Sequence, residues 1–521
     1  GEIHHDRNTS RFIRRLAVGL LLAMVAICLY LTNSRTAWAG TLAAGAAWGL
    51  IFVNRRIESS RGRVIVSSLG VGIGALTAAG LLWIVMQDER VVPGPLKSLS
   101  YRAEYWVGTW RMLKTTPWLG VGPGQFRDNY LQFKLPETSE EIADPHNLVL
   151  DVWSNGGLLA LAGLVGLLLC LARRVWSLWT APPPAAATEQ ELPTWRAVLP
   201  GWAGFAVAIL GQLITLGYWD NQLDQIAVFS LTWLIGAGML RLAGAISEQT
   251  LTLGSTLAAL ALSIHLCGAG GIAMPAVTQT WLLLILLTLT PSAPRDASPT
   301  EGSGRSRVGA LIMTVTGFAL AWGCFSTSYW PVMQRKHLVE AAELAASRSG
   351  DQETSGRLYR QASEADDLAW EAWESLAMWE FAQAQRSSAN KDRTKFEAAI
   401  QAETEAIRRA PHRPYGYQLL ADFWSTLARQ TRQPDDWNEA VTAYRMATDR
   451  HPTSARLQAD FAITLAEAGH ASDAAQAARR AMIQDDLNHR RGHADRYLPE
   501  KLREQLAELA DTTPSDAAQN P

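Results

Sequence analysis

Apolar runs alternate with polar connections through the first 330 residues, at 14–31, 36–53, 64–86, 148–172, 198–217, 226–243, 251–270, 276–291 and 308–330. A helix rises 1.5 Å per residue, so roughly 20 apolar residues cross a bilayer core. The pattern predicts eight or nine transmembrane helices. Its weakest member is 276–291, which is short and bounded by Pro275 and Pro291. From about residue 337, apolar positions recur at helical spacing among charged ones, the signature of amphipathic helices with one buried face. The expected fold class is all-α: a polytopic membrane helical bundle over 1–330, a soluble α-helical repeat domain over 337–508, and a disordered tail over 509–521.

Lys and Arg concentrate on cytoplasmic connections. One set of connections carries Arg7, Arg11, Arg14, Arg15, Arg55, Arg56, Arg61, Arg63, Arg173, Arg174, Arg196, Arg241, Arg295, Arg305 and Arg307, whereas the short opposite connections carry Arg35 and little else. With nine spans from an inside start, residues 87–147, 218–225 and everything after Trp330 lie outside the cytoplasm. If 276–291 is not a full span, the C-terminal region moves to the cytoplasm. Residues 180–193 and 292–307 are Pro-, Ala- and Ser-rich linkers.

In the C-terminal part, "ADDLAWEAWESLAMWEFAQAQ" (365–385) predicts one helix. "NEAVTAYRMATDRHP" (438–452) resembles the second helix and exit turn of a tetratricopeptide unit, and residues 455–486 fit one whole unit. Ala447 and Ala481 stand 34 residues apart, the period of such repeats. Copies around 393–430 are degenerate. Repeats of this kind bury their faces by stacking, and their grooves bind partners, so a protein partner is expected there.

The polar stretch 87–147 is the largest loop between apolar runs and holds the candidate chemistry. A helix is expected from about 99 to 115, carrying Arg102, Glu104, Tyr105, Trp106 and Arg111, with Arg102 and Trp106 on one face. Pro117 ends it, and "WLGVGPGQF" (118–126) follows as a turn with Gly120, Gly122 and Gly124 at alternate positions. Glycines permit positive φ, so backbone amides there could face an anion; an ordinary surface turn is the other reading. Asp144 is the expected N-cap of the next helix, with His146 in its first turn as a neutral imidazole suited to proton removal from a hydroxyl. Arg35 lies in the tight connection "LTNSRTAWAG" (31–40), where it needs to snorkel or find a partner.

Composition narrows the alternatives. A net charge of −2 argues against nucleic-acid binding. Twenty-one tryptophans suit a chain with many membrane interfaces. Cys28, Cys170, Cys267 and Cys324 fall in or beside apolar runs without a C-x-x-C spacing, so they are expected to be small buried side chains rather than disulfides or metal ligands. The later spans hold few intramembrane charges, His265 being the main exception, which disfavours a transporter.

In order, "LTNSRTAWAG", "YRAEYWVGTWRMLKTTPWLGVGPGQF" and "DPHNLVLDVWSNGGLLAL" resemble the region shared by bacterial O-antigen ligases and O-antigen polymerases, over roughly residues 15–245. The resemblance implies a GT-C-like helical fold, metal-independent chemistry without a cofactor, and an inner-membrane location. It implies an undecaprenyl-diphosphate-linked glycan as donor and a lipid, a glycan or a protein as acceptor. It assigns the functional arginines to Arg35 and Arg102, the loop histidine to His146 followed by Asn147, and the Gly-rich turn to Gly120, Gly122 and Gly124. Arg111, Trp106 and, more weakly, Arg127, Trp110 and Trp118 are the expected substrate-binding residues, and Asp144 or Glu104 could assist. The chain has fewer spans before Arg35 than the resemblance implies, so helices are expected to precede Gly1. Ligase, polymerase, protein oligosaccharyltransferase and non-catalytic envelope scaffold all stay open, because the shared motifs do not identify the acceptor.

Overall fold

The computed structural model describes residues 2–57, most of 59–72, 97–180, isolated positions of 230–238, 248–289, 304–386 and 393–511. The apolar run at 198–217, most of those at 64–86 and 226–243, the connections 181–193, 218–225 and 290–303, and residues 512–521 lie outside the described residues. Among the described residues every regular element is helical. The helices are α1 (Glu2–Leu31), α2 (Arg35–Arg56), α3 (Lys97–Leu113), α4 (Phe126–Tyr130), α5 (Leu148–Thr180), α6 (Glu248–Leu266), α7 (Pro275–Leu289) and α8 (Gly304–Cys324). They continue as α9 (Trp330–Leu344), α10 (Gln352–Ala365), α11 (Glu371–Arg386), α12 (Arg393–Arg409), α13 (Pro414–Thr431), α14 (Pro434–Arg450), α15 (Ala455–Glu467), α16 (Ala471–Arg491) and α17 (Glu500–Asp511).

Four described helical segments are long and apolar enough to cross a membrane: Arg35–Arg56, Leu148–Thr180, Gln249–Leu266 and Leu311–Arg348. Val18–Leu31 and Pro275–Leu289 are shorter apolar helices. At about 22 Å by helical rise, α7 is shorter than a bilayer core. Leu22, Leu42, Leu169, Leu286, Leu311 and Phe318 are all exposed, as suits helices whose outer surface meets lipid. The four cysteines are likewise exposed rather than buried, because they stand on outward faces or ends of these helices.

The chain divides into two compact units. The first comprises Gly1–Ser100, Asp144–Trp153 and Leu158–Ser292; the second comprises Tyr101–Ala143, Ser154–Gly157 and Ala293–Pro521. In the first, Leu148, Leu164 and Leu171 of α5 pack with Ala259 and Leu266 of α6 and with Trp281 and Ile285 of α7. The Trp281 indole N–H donates to Ser263 Oγ at 2.8 Å, satisfying its polar atom inside that apolar cluster. Helix α2 lies along α6 so closely that a Cβ at Gly40 would overlap the Ala261 carbonyl. At the other end of α2, Asn54 Nδ2 and Arg55 Nη2 donate to the Trp179 and Leu178 carbonyls, at 2.9 and 3.3 Å. Those carbonyls belong to the last turn of α5, which has no intrahelical donors for them.

In the second unit, the segment 101–143 builds a small core from Tyr105, Met112, Phe126, Tyr130 and Ile142. The C-terminal helices form a packed α-helical region in which each helix packs against the next. One cluster joins α9 to α13 through Ala342, Tyr359, Leu376, Ala377, Phe396 and Phe423. Another joins α13 to α17 through Ala421, Tyr444, Phe461, Leu465 and Leu506. Ala447 and Ala481 are fully buried at corresponding places in α14 and α16, where only a small side chain lets neighbouring helices approach. Residues 365–385 do not form one helix: α10 ends at Ala365, and Asp366 accepts from the Leu368 amide in a turn before α11. Residues 509–511 belong to α17, where Leu509 and Ala510 pack against the last cluster, and the rest of the expected tail, 512–521, lies outside the described residues.

His451 follows α14 and is 2% exposed, and among the described residues neither ring nitrogen has a hydrogen-bond partner. Burial, then the nearby Lys134 cation, pushes it down to about 4; Glu141 opposes this, while Arg496 and Arg127 add to it. The unfolded chain takes up this proton near pH 6.5 and the folded chain only near 4, so acid favours unfolding between those values. Thermal melting of the full chain should therefore fall between pH 6.5 and 4.5, and His451→Gln should flatten that dependence. An unchanged slope in the variant would contradict the assignment to His451.

Candidate functional site

His146 sits at φ 50°, in the left-handed region that a residue with a Cβ rarely adopts. Strain of this kind is held only where surrounding contacts over-determine it. Here Asp144 Oδ1 accepts from the His146 amide at 2.7 Å and lies 2.6 Å from its Nδ1. The N-cap of α5 is therefore Asn147 and not Asp144: Asn147 Oδ1 accepts from the Val149 and Leu150 amides at 3.0 and 3.1 Å. His146 stands before the helix and outside its first turn, because its carboxylate partner two residues upstream curls the backbone the other way.

This pairing sets the chemistry of the ring. Nδ1–H donating to Asp144 fixes one tautomer and leaves Nε2 as the acceptor. Burial acts to raise the Asp144 carboxyl, but the hydrogen bonds from the His146 ring and backbone outweigh it and hold the group below its ordinary range. Asp144 thus stays an anion that orients the imidazole and stabilises it when Nε2 takes a proton.

The connection after α6 is the floor of this arrangement, and sequence reasoning missed it. A Cβ at Gly270 would lie 2.7 Å from both Asp144 carboxylate oxygens and 2.8 Å from His146 Nδ1, so its backbone rests directly against the pair. Asn147 Nδ2 donates to the Cys267 carbonyl at 3.0 Å. The same connection meets the start of α2: Thr36 Oγ1 is 2.9 Å from His265 Nδ1, and a Cβ at Gly268 would come within 2.8 Å of Thr36 Cγ2. Ser34 caps α2 by accepting from the Ala37 amide, which places Arg35 in the first helical turn with its side chain exposed. Residues 265–270 therefore join "SRT" (34–36) to "DPHN" (144–147) within one unit. The available signal was a Gly-rich break, "HLCGAGG", after a membrane helix ending in His265.

The other predicted residues belong to the second unit. Arg102 is half-buried on α3, and Arg111 is exposed on the same helix. Trp106 packs against the Tyr105–Phe126–Tyr130 core, so part of its ring is structural. Trp110 and Trp118 are 47% and 74% exposed and present broad apolar surfaces. Glu104 accepts from Thr138 Oγ1 at 2.8 Å. Arg127 is ion-paired with Glu141 at 3.1 Å, which gives it a local partner within the loop.

Gly120, Gly122 and Gly124 all have positive φ, at 68°, 92° and 76°. Three amides of that turn are committed to carbonyls: Gly120 N to Thr116 O at 3.0 Å, Val121 N to Ser154 O at 2.7 Å and Gln125 N to Gly122 O at 3.2 Å. They cannot also cradle an anion. The turn also braces the break in α5 at Gly157, where φ is 66° and a Cβ would overlap the Trp118 carbonyl. Gly157→Ala meets both the backbone strain and the overlap, so a loss of about 2 kcal/mol or more in stability is expected. Detergent-phase thermal melting would read it; a shift no larger than that of Gly163→Ala, where the space is open, would contradict this account.

Among the described residues no group of three or more His, Cys, Asp or Glu is gathered as metal ligands would be. The O-antigen ligase family matches the chain over residues 20–165, a span that includes Arg35, Arg102, His146 and Gly157 but well under half of the chain. No curated protein matches it significantly. The partial match and the long apolar helices together support a membrane enzyme of glycan transfer in general terms.

Proposed function

We propose that the protein transfers a glycan from an undecaprenyl-diphosphate carrier to an acceptor hydroxyl, in the manner of an O-antigen ligase, at the outer face of a bacterial inner membrane. The Asp144–His146 pair, held in a strained turn against Gly270, carries this reading. His146 Nε2 takes the proton of the acceptor hydroxyl as its oxygen attacks the anomeric carbon. The bond from that carbon to the diphosphate oxygen breaks with its electron pair, through an oxocarbenium-like state, and the carrier leaves as a diphosphate.

Arg35 is a cation in the first turn of α2, where backbone amides also face outward, a combination that suits an anion. In this reading it grips the leaving diphosphate; Arg102 and Arg111 are, by the resemblance, further candidates for binding phosphate or anionic headgroups. Trp106, Trp110 and Trp118 offer surface for sugar or polyprenyl chain. Gly120, Gly122 and Gly124 form a turn proposed to bind substrate, in which the Gly120 amide is already bonded to the Thr116 carbonyl. Asn147 positions His146 by tying the start of α5 to Cys267. The C-terminal helix pairs, read as tetratricopeptide-like, would present an acceptor or a protein partner.

The test is transfer by the reconstituted full chain from a lipid-diphosphate glycan to lipid A core, to a second glycan unit and to a protein acceptor. Product on lipid A core supports the ligase reading. Product only on a glycan or a protein would make the chain a polymerase or a protein oligosaccharyltransferase. No product with any acceptor would sink the catalytic reading in favour of a scaffold.

A further inference from the structure

Glu141 lies near the end of the segment 101–143, with its side chain 6% exposed. It accepts a hydrogen bond from the Tyr415 hydroxyl of α13, and Arg496 Nη1, from the turn after α16, lies 2.6 Å from its Oε1. Arg127 of the same segment closes the set at 3.1 Å. Nearby, Gln484 Nε2 of α16 donates to the Pro136 carbonyl at 2.8 Å. Lys134, 7% exposed, and His451 lie close enough for their charges to act on this cluster. A buried carboxylate costs free energy unless paired, and here three donors meet it, two of them from residues more than 250 positions away in sequence. Burial works to raise Glu141, but the Tyr415 bond, the His451 charge and Arg496 hold it at about 2. It is an anion at any physiological pH, so the cluster is permanently engaged.

We infer that the C-terminal helical region stands on the same side of the membrane as residues 101–143 and clamps that segment through Glu141, which makes Glu141 a positioning residue for the loop that carries Arg102. Contacts of this kind cannot form across a bilayer. The placement therefore follows from the packing within one compact unit and is independent of how many spans lie between residues 180 and 304. The apolar helix Leu311–Arg348 supports it, since it runs without a break into the first helices of the region and leaves no long linker for an independent module. The helical region is then part of the machinery that fixes the loop, in addition to any partner it recruits. Its effect on transfer rests on the proposed function; its placement does not.

The test uses the full chain in native membrane vesicles, with the four native cysteines replaced by Ser. Single cysteines at the exposed positions Gln132 and Ser472 are treated with a membrane-impermeant maleimide. Labelling of both from the same side is expected; labelling from opposite sides would overturn the placement. In the same background Glu141→Gln, Glu141→Asp and Tyr415→Phe are compared with the parent. Glu141→Gln should speed labelling at Gln132→Cys severalfold and raise the donor KM about tenfold at unchanged abundance, as a misplaced binding residue does, and Glu141→Asp should recover part of both. If Glu141→Gln inserts normally and leaves labelling rate and donor KM unchanged, the clamp is refuted. If the parent shows no transfer, the proposed function fails, and the labelling arms still decide the clamp.

Discussion

Replacing His146 by Ala should lower the rate of glycan transfer about 10²- to 10⁴-fold while abundance and membrane insertion persist. His146 is 35% exposed on its side chain and contributes little burial, so its removal leaves the fold intact, although alanine keeps the strained positive φ. What is lost is the acceptor for the hydroxyl proton. Asp144→Asn should cost nearly as much, because an amide can face Nδ1 with its N–H and so favour the wrong tautomer, with the lone pair turned away from the substrate. The two losses should not add, since both remove one function. The check is kcat for each single variant and for the pair, under donor saturation. A double variant as impaired as the worse single one fits the coupled pair, whereas multiplicative losses would mean that Asp144 and His146 act separately.

The second large effect is expected at Arg35. Arg35→Ala should reduce kcat/KM for the lipid-linked donor about 10²- to 10³-fold, on the scale of removing one donor from a developing anion. Arg35→Lys should recover only part of this, because an ammonium offers a point charge where a guanidinium offers two parallel N–H groups to the diphosphate oxygens. Ser34 and Thr36 hold the first turn of α2 against His265, so the backbone under Arg35 is fixed and the substitution tests the side chain alone. Steady-state kinetics with donor varied at fixed acceptor would separate this from an acceptor effect. Full activity in Arg35→Ala would remove Arg35 from the site.

Much of this was legible in the sequence, because apolar runs and helix signals are local. The runs at 36–53, 251–270 and 276–291 correspond to α2, α6 and α7 within a few residues. The run at 148–172 extends to Thr180 in the structure, since Asn54 and Arg55 satisfy the end of α5 beyond its apolar part. What periodicity does not carry is long-range contact. No local pattern places Gly270 under Asp144, or joins Glu141 to Tyr415 and Arg496. The cap was misread for a related reason: Asp144 and Asn147 are both good N-caps by composition, and only the turn at His146 decides between them. The glycine turn has the expected positive φ at all three glycines, and it also makes a contact that no local pattern shows: Val121 bonds to Ser154, which lies 33 positions downstream.

In the proposed reaction the Asp144–His146 pair activates an acceptor hydroxyl against a lipid-diphosphate glycan. Single-turnover transfer by reconstituted wild-type and His146→Gln proteins, following the released polyprenyl diphosphate, tests it most directly. One carrier should be released per glycan transferred by the wild type, and release by the variant should be at least a hundredfold slower, with donor binding retained. Equal release rates from the two proteins would contradict it.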